Sequence, residues 1–119
     1  MAKKGGGNIM IIKQGADKTY IFYIYDAGGN LIKTAPADIQ FTAACPNNPL
    51  QPVLVKKWQK GITLDTETGK YTMTVESKDT LNLPPNKYPF DIKIKRADRQ
   101  FFVVMSGVME IRQAYTGEL

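Results

Sequence analysis

The side chains that could do chemistry in this chain are few, and their spacing does not favour it. There is no histidine, so the commonest general base and neutral metal ligand is missing. Cys45 is the only cysteine, which rules out thiolate zinc clusters and an internal disulfide. Without a histidine to activate it, Cys45 reads as a small, semi-buried apolar residue. Asp65-Thr66-Glu67-Thr68-Gly69 alternates acidic oxygens before a glycine, as a calcium loop does, but it is too short and lacks the downstream bidentate glutamate. The same residues are the favoured chemistry of a hairpin turn. Gly5-Gly6-Gly7 follows no strand and makes no phosphate cradle. The expectation is no catalytic, cofactor or metal site, and a chain that is not an enzyme.

What remains is surface chemistry. Of the chain's 16 lysines and arginines, Lys56, Lys57 and Lys60 gather around Trp58, while Lys3 and Lys4 precede the triple glycine. These six residues, Lys3, Lys4, Lys56, Lys57, Trp58 and Lys60, are the candidate partner contacts. A net charge of +5 and a tryptophan among lysines would also suit nucleic acid or carbohydrate. Acids such as Asp91 and Asp98 interrupt the basic field, however, and no nucleic-acid-binding motif accompanies it. The lysines are therefore expected to face solvent or another protein rather than nucleic acid. No stretch approaches the ~20 apolar residues of a membrane span, and the leading MAKKGGGNIM has no signal-peptide core. No membrane role and synthesis in the cytoplasm are expected.

The elements that must position these residues are strands. Tyr71, Met73 and Val75 alternate with Thr72, Thr74 and Glu76; Phe90, Ile92 and Ile94 alternate with Asp91, Lys93 and Lys95; Ile39, Phe41 and Ala43 alternate with polar neighbours. Successive strand residues point to opposite faces, so each run supplies one buried face. Lys18–Tyr25 is apolar or aromatic on both faces, which suits a strand covered twice or a contact face beyond the core. Cys45–Pro52, with three prolines, reads as an exposed loop. Ser77 is expected to cap one helical turn, Pro84-Pro85-Asn86 to force a corner, and Gly107 to mark a bulge in the last strand. Turn signals every 8–12 residues and the absence of helical periodicity predict an all-β chain. The expected organisation is a flexible basic, glycine-rich tail over 1–8, a single antiparallel β-sandwich over 9–113 and a short polar tail over 114–119.

The order Gly15-Ala16-Asp17, Asp26-x-Gly28-Gly29-Asn30, Gly61-Ile62-Thr63-Leu64, Thr68-Gly69-Lys70-Tyr71, Leu81-x-Leu83-Pro84-Pro85-x-Lys87-Tyr88-x-Phe90-Asp91-Ile92 and Gly107-x-Met109-x-Ile111 resembles small β-sandwich proteins of tailed bacteriophages. It is similar to the immunoglobulin-like N-terminal domain of phage baseplate upper proteins, over residues 9–112. Asn86 stands where that pattern has glycine, and asparagine also tolerates the left-handed conformation. The resemblance implies an immunoglobulin-like sandwich and a structural component of the virion, in the tail or baseplate. Its partners would be other virion proteins, in a multi-copy homo- or hetero-oligomer. Capsid decoration is the alternative within that class; a nucleic-acid- or carbohydrate-binding accessory sandwich is the alternative outside it.

Overall fold

The computed structural model describes residues 8–96 and 101–113. The chain runs through β1 (Asn8–Lys13), β2 (Lys18–Phe22), β3 (Asp38–Cys45), β4 (Asn48–Trp58), β5 (Gly61–Asp65), β6 (Lys70–Val75), a single helical turn α1 (Ser77–Thr80), β7 (Asn86–Lys95) and β8 (Phe101–Arg112). All eight strands join one sheet in the order β1-β8-β7-β3-β4-β5-β6-β2. The sheet is mixed and curls nearly into a barrel, so its first and last strands, β1 and β2, come to face each other.

The alternating runs set the inner face as expected. Ile39, Phe41, Tyr71, Met73, Val75, Phe90, Ile92 and Ile94 are all buried. Cross-strand register stacks them in rows: Ile39 opposite Ile94 and Phe41 opposite Ile92 on one side, Ile62 opposite Met73 and Leu64 opposite Tyr71 on the other. Phe22 lies flat on Tyr71 at 5.1 Å between ring centres, and Phe41 packs on Phe90 at the same spacing. Each fully buried large side chain contributes about 1.5–3 kcal/mol of transfer free energy. These rows are therefore what holds the curled sheet together.

Several expectations need correction. The sheet is not purely antiparallel, because β1 runs parallel to β8, and Lys57 and Trp58 pair in parallel with Gly61 and Ile62. Asn48–Pro52 is strand rather than loop: Cys45 pairs with Asn48 across a Pro46-Asn47 turn. Its prolines are tolerated because β5 reaches only Lys57 and Trp58, leaving the rest of that edge of β4 without a ladder to break. β2 ends at Phe22, although Ile24 stays buried and Tyr25 bridges Leu31. The N-cap of α1 is Glu76 rather than Ser77; the Glu76 N–H donates to Asp79 Oδ2 at 2.7 Å.

β8 is continuous, and its extra residue is Val104, skipped where Ile92 pairs with Met105 and Lys93 with Val103. Gly107 serves another purpose. It lies opposite Asn8 on β1, and a Cβ there would fall 2.7 Å from the Asn8 carbonyl carbon and closer still to its oxygen. The expected tails, residues 1–7 and 114–119, lie outside the described residues, whereas Asn8 belongs to β1.

Candidate partner-contact surface

The Lys56–Lys60 cluster sits where β4 turns into β5. Lys57 and Lys60 exchange backbone bonds, N–H to O at 3.1 Å and 2.9 Å, and Gln59 adopts φ 63° to close the loop. Strand alternation then divides the candidates. Lys57 and Lys60 are exposed, while Trp58 is half-buried against the core. Lys56 also turns inward, its side chain only 12% exposed, and its Nζ lies 2.7 Å from Asp79 Oδ2. Gly61, at φ 109°, makes room for it: a Cβ at that position would come within 2.6 Å of Lys56 Cδ. Lys56 therefore has an internal partner, and only Lys57 and Lys60 present free-standing ammonium groups at this turn. Lys3 and Lys4 lie outside the described residues.

The Lys56–Asp79 pair ties β4 to α1, which closes one end of the curled sheet. Thr80 is fully buried there and accepts the Gly15 N–H at 2.9 Å, Gln14 Nε2 donates to the Leu83 carbonyl at 2.7 Å, and Ser77 N–H donates to Asp17 Oδ1 at 2.7 Å. Burial pushes the Asp79 carboxyl up, but the bonds from Lys56 and the Glu76 N–H, with the charges of Lys56 and Lys78, outweigh it and hold the carboxyl below the ordinary aspartate value. A carboxylate depressed in the folded state stabilises above its unfolded pKa of about 3.9 and loses that contribution as pH falls through the folded value. Asp79→Asn should therefore cost about 2 kcal/mol at neutral pH, the scale of a charge-assisted bond. The deficit should shrink as pH is lowered below 4. Chemical denaturation of both proteins at neutral and acid pH checks this; a deficit that stays constant with pH would contradict it.

The second surface is apolar. β1 and β2 meet edge to edge, but the tie between them is a side-chain bond, from the Tyr20 hydroxyl to the Ile11 carbonyl at 3.1 Å. Burial raises the Tyr20 pKa. On the outer side of this seam Ile9 is 69% exposed and Ile21 55% exposed, with Ile11, Tyr23 and Tyr25 also exposed. Between the strands a cleft of about 180 Å³ descends toward the core, past Ile9, Met10, Ile21 and Phe22 to Met73 and Met105. The two-faced apolar pattern of Lys18–Tyr25 was the sequence signal for this surface. Ile9 and Ile11 gave none beyond being strand residues.

Asp65 Oδ1 accepts the Glu67 N–H at 2.9 Å and its carbonyl accepts the Gly69 N–H at 2.8 Å, so its carboxylate is engaged in the turn. Among the described residues no three cysteine, aspartate or glutamate side chains converge as a cation would require. Ser106 and Lys93 share a shallow dish with Asp91 and Pro49 on the outer face of the sheet, both open to solvent. No protein-family model matches the chain, and no curated protein matches it significantly.

Proposed function

We propose that this chain is a non-enzymatic structural module of a tailed-phage particle, built into the tail or baseplate by protein–protein contacts, and that its fold is of the immunoglobulin-like sandwich type. The observation that carries the fold reading is the corner before β7. Tyr88, near the start of that strand, donates its hydroxyl to the Pro84 carbonyl at 2.5 Å, four residues upstream. This is the arrangement of the tyrosine corner of immunoglobulin-like domains. Strand order supports the same reading. Divided at the two-pair β4·β5 junction, the sheet yields a five-stranded layer β1-β8-β7-β3-β4 and a three-stranded layer β5-β6-β2, the Greek-key arrangement of a sandwich.

The virion reading rests on the resemblance of the motifs, and the structure brings several of them together. Gly15, Asp17, Leu83, Pro84 and Tyr88 meet at the α1 end through the hydrogen bonds given above. The contact role is supported by the exposed isoleucines and tyrosines of β1 and β2, which form an apolar strip. A module repeated on a symmetric scaffold binds by avidity even when each contact is weak. Quantitative mass spectrometry of purified particles tests the proposal. A few to a few dozen copies per particle are expected for the tail or baseplate; hundreds would move the chain to the capsid; absence from the particle would overturn both.

A further inference from the structure

The dish on the outer face of β3, β7 and β8 holds about 380 Å³, within the size range of small-molecule sites. The outside of a curled sheet is expected to be convex, so a hollow there needs a cause. The cause is the irregular end of the β3–β4 hairpin, where the register shifts on either side of Ala44. Such shifts bend a strand, and Pro49 from the hairpin's tip lines the dish together with Ala44. Ala44 is buried there, so it belongs to the floor.

The polar groups of the dish come from register. Thr42 lies opposite Asp91, and Asp91 opposite Ser106, which makes a hydroxyl–carboxylate–hydroxyl row across β3, β7 and β8. Gln40 lies opposite Lys93 in the neighbouring row. Gln40 Nε2 donates to Thr42 Oγ1 at 2.9 Å. That bond leaves the Gln40 carbonyl oxygen as an acceptor and turns the Thr42 hydroxyl proton outward as a donor. Asp91 is half-buried, yet among the described residues neither it nor Lys93 makes an ion pair or a side-chain hydrogen bond. Aspartate is disfavoured within strands. This one, in a strand paired on both sides, makes no internal bond in return.

These groups select a ligand by charge. Asp91 and Lys93 are the only charged side chains lining the dish, and they cancel. Asp91 opposes an anion there and Lys93 a cation. A ligand whose hydroxyls each donate and accept can engage the carboxylate, the ammonium, the amide oxygen and both hydroxyls together. Pro49 and Pro89 add an apolar rim against which C–H groups can rest. We infer that the dish binds a neutral sugar residue with adjacent free hydroxyls. Asp91 accepts from the hydroxyl pair, and Lys93 and Thr42 donate to its oxygens. A zwitterionic amino acid would use the two charges but leave Gln40, Thr42 and Ser106 idle. The inference does not rest on the assembly role or on the assignment to a phage.

A nitrogen-15 NMR titration of the full chain tests it, with the methyl glycosides of glucose, galactose, mannose and N-acetylglucosamine as probes. At least one should shift the amides of Thr42, Asp91 and Ser106 together. A dissociation constant in the low millimolar range is expected, as a ligand of about a dozen heavy atoms in an open site permits. Asp91→Asn keeps the shape and removes the charge; it should weaken binding about tenfold or more, the loss of a charge-assisted bond. Thr42→Val removes a donor at similar volume and should weaken it several-fold, which keeps the test intact should Asp91→Asn misfold. Glu67→Gln, in the Asp65–Gly69 turn, should bind as wild type does. Binding should also survive about 0.5 M salt, since a neutral ligand is not screened. No response at these amides below about 50 mM of any glycoside would overturn the inference. So would binding that ignores both Asp91→Asn and Thr42→Val, binding that collapses in salt, or a response to glycine in place of the sugars. A chain that binds a glycoside here but is absent from particles would keep this site and lose the phage assignment.

Discussion

Gly107→Ala is expected to lift β1 off the sheet and to lower the melting temperature by about 10 °C or more. The cause is contact rather than backbone conformation. Gly107 does not hold a left-handed φ, so alanine can adopt its backbone, but the added methyl would overlap the Asn8 carbonyl oxygen on the neighbouring strand. That neighbour is main chain and cannot rotate away as a side chain can. The strand must therefore retreat, and with it Met10 and Ile12, buried to 6% and 1% exposure. Overpacking a tight site costs roughly 1–3 kcal/mol, and partly uncovering two core side chains, each worth roughly 1.5–3 kcal/mol when fully exposed, adds to it. A loss of about 3 kcal/mol corresponds to about 10–20 °C in a domain of this size. Thermal unfolding followed by circular dichroism measures the drop, and hydrogen exchange locates it in the β1 amides. A melting temperature within about a degree of wild type would contradict the close approach of the two strands.

Gly107 also shows where the sequence stops being readable. A glycine inside a strand pattern signals either a bulge or the close approach of another backbone, and only the fold decides between them. Here β1 lies beside it, nearly a hundred residues away in the chain, and the bulge falls at Val104 instead. The direction of β1 was hidden for a related reason, since alternation tells which face a residue takes but not which way the strand runs. Lys56 was read as surface because a lysine's default is solvent. Its partner Asp79 is on a helical turn whose position depends on the corner at Pro84 and on the hydrogen bonds that fasten Gln14 and Gly15 beneath it. The Asn48–Pro52 stretch was read as loop because proline breaks ladders; that the strand has an unpaired edge there is again a property of topology. What local pattern does determine came through. The inner rows of β3, β6 and β7, the hairpin at Asp65–Gly69 and the Asp26–Asn30 turn all follow from side-chain period and turn chemistry. Asp26 Oδ1 accepts the Gly28 and Asn30 N–H groups at 2.9 Å, which explains why aspartate opens that turn. The candidate site was half legible: Lys57 and Lys60 stay exposed, and the apolar outer face of Lys18–Tyr25 is present, but its counterpart on β1 could be placed only by the pairing.

The alternation on β7 makes the sharpest prediction, because neighbouring substitutions should behave oppositely. Ile92 is 2% exposed and lies between Phe41 on β3 and Met105 on β8. Ile92→Asp would place a carboxylate in that row with no cation beside it. An isolated buried charge costs several kcal/mol even after the protein relaxes, a large part of the roughly 5–15 kcal/mol that holds such a domain together. Lys93→Asp changes an exposed outward position and should move stability by about 0.5 kcal/mol or less. The penalty at position 92 should also depend on pH with a definite sign. Burial disfavours the charged form, so the folded pKa of the new carboxyl rises above its unfolded value of about 3.9. A group raised in the folded state binds its proton more tightly there. The variant is thus least penalised below pH 4, where the acid is neutral in both states, and progressively worse as pH climbs through the folded pKa. Urea titrations of both variants at acid and neutral pH read this out. If Ile92→Asp unfolded no more easily than wild type while Lys93→Asp did, the inner and outer faces of the sheet would have to be exchanged. A penalty at position 92 that did not ease in acid would place its side chain in water rather than in the core.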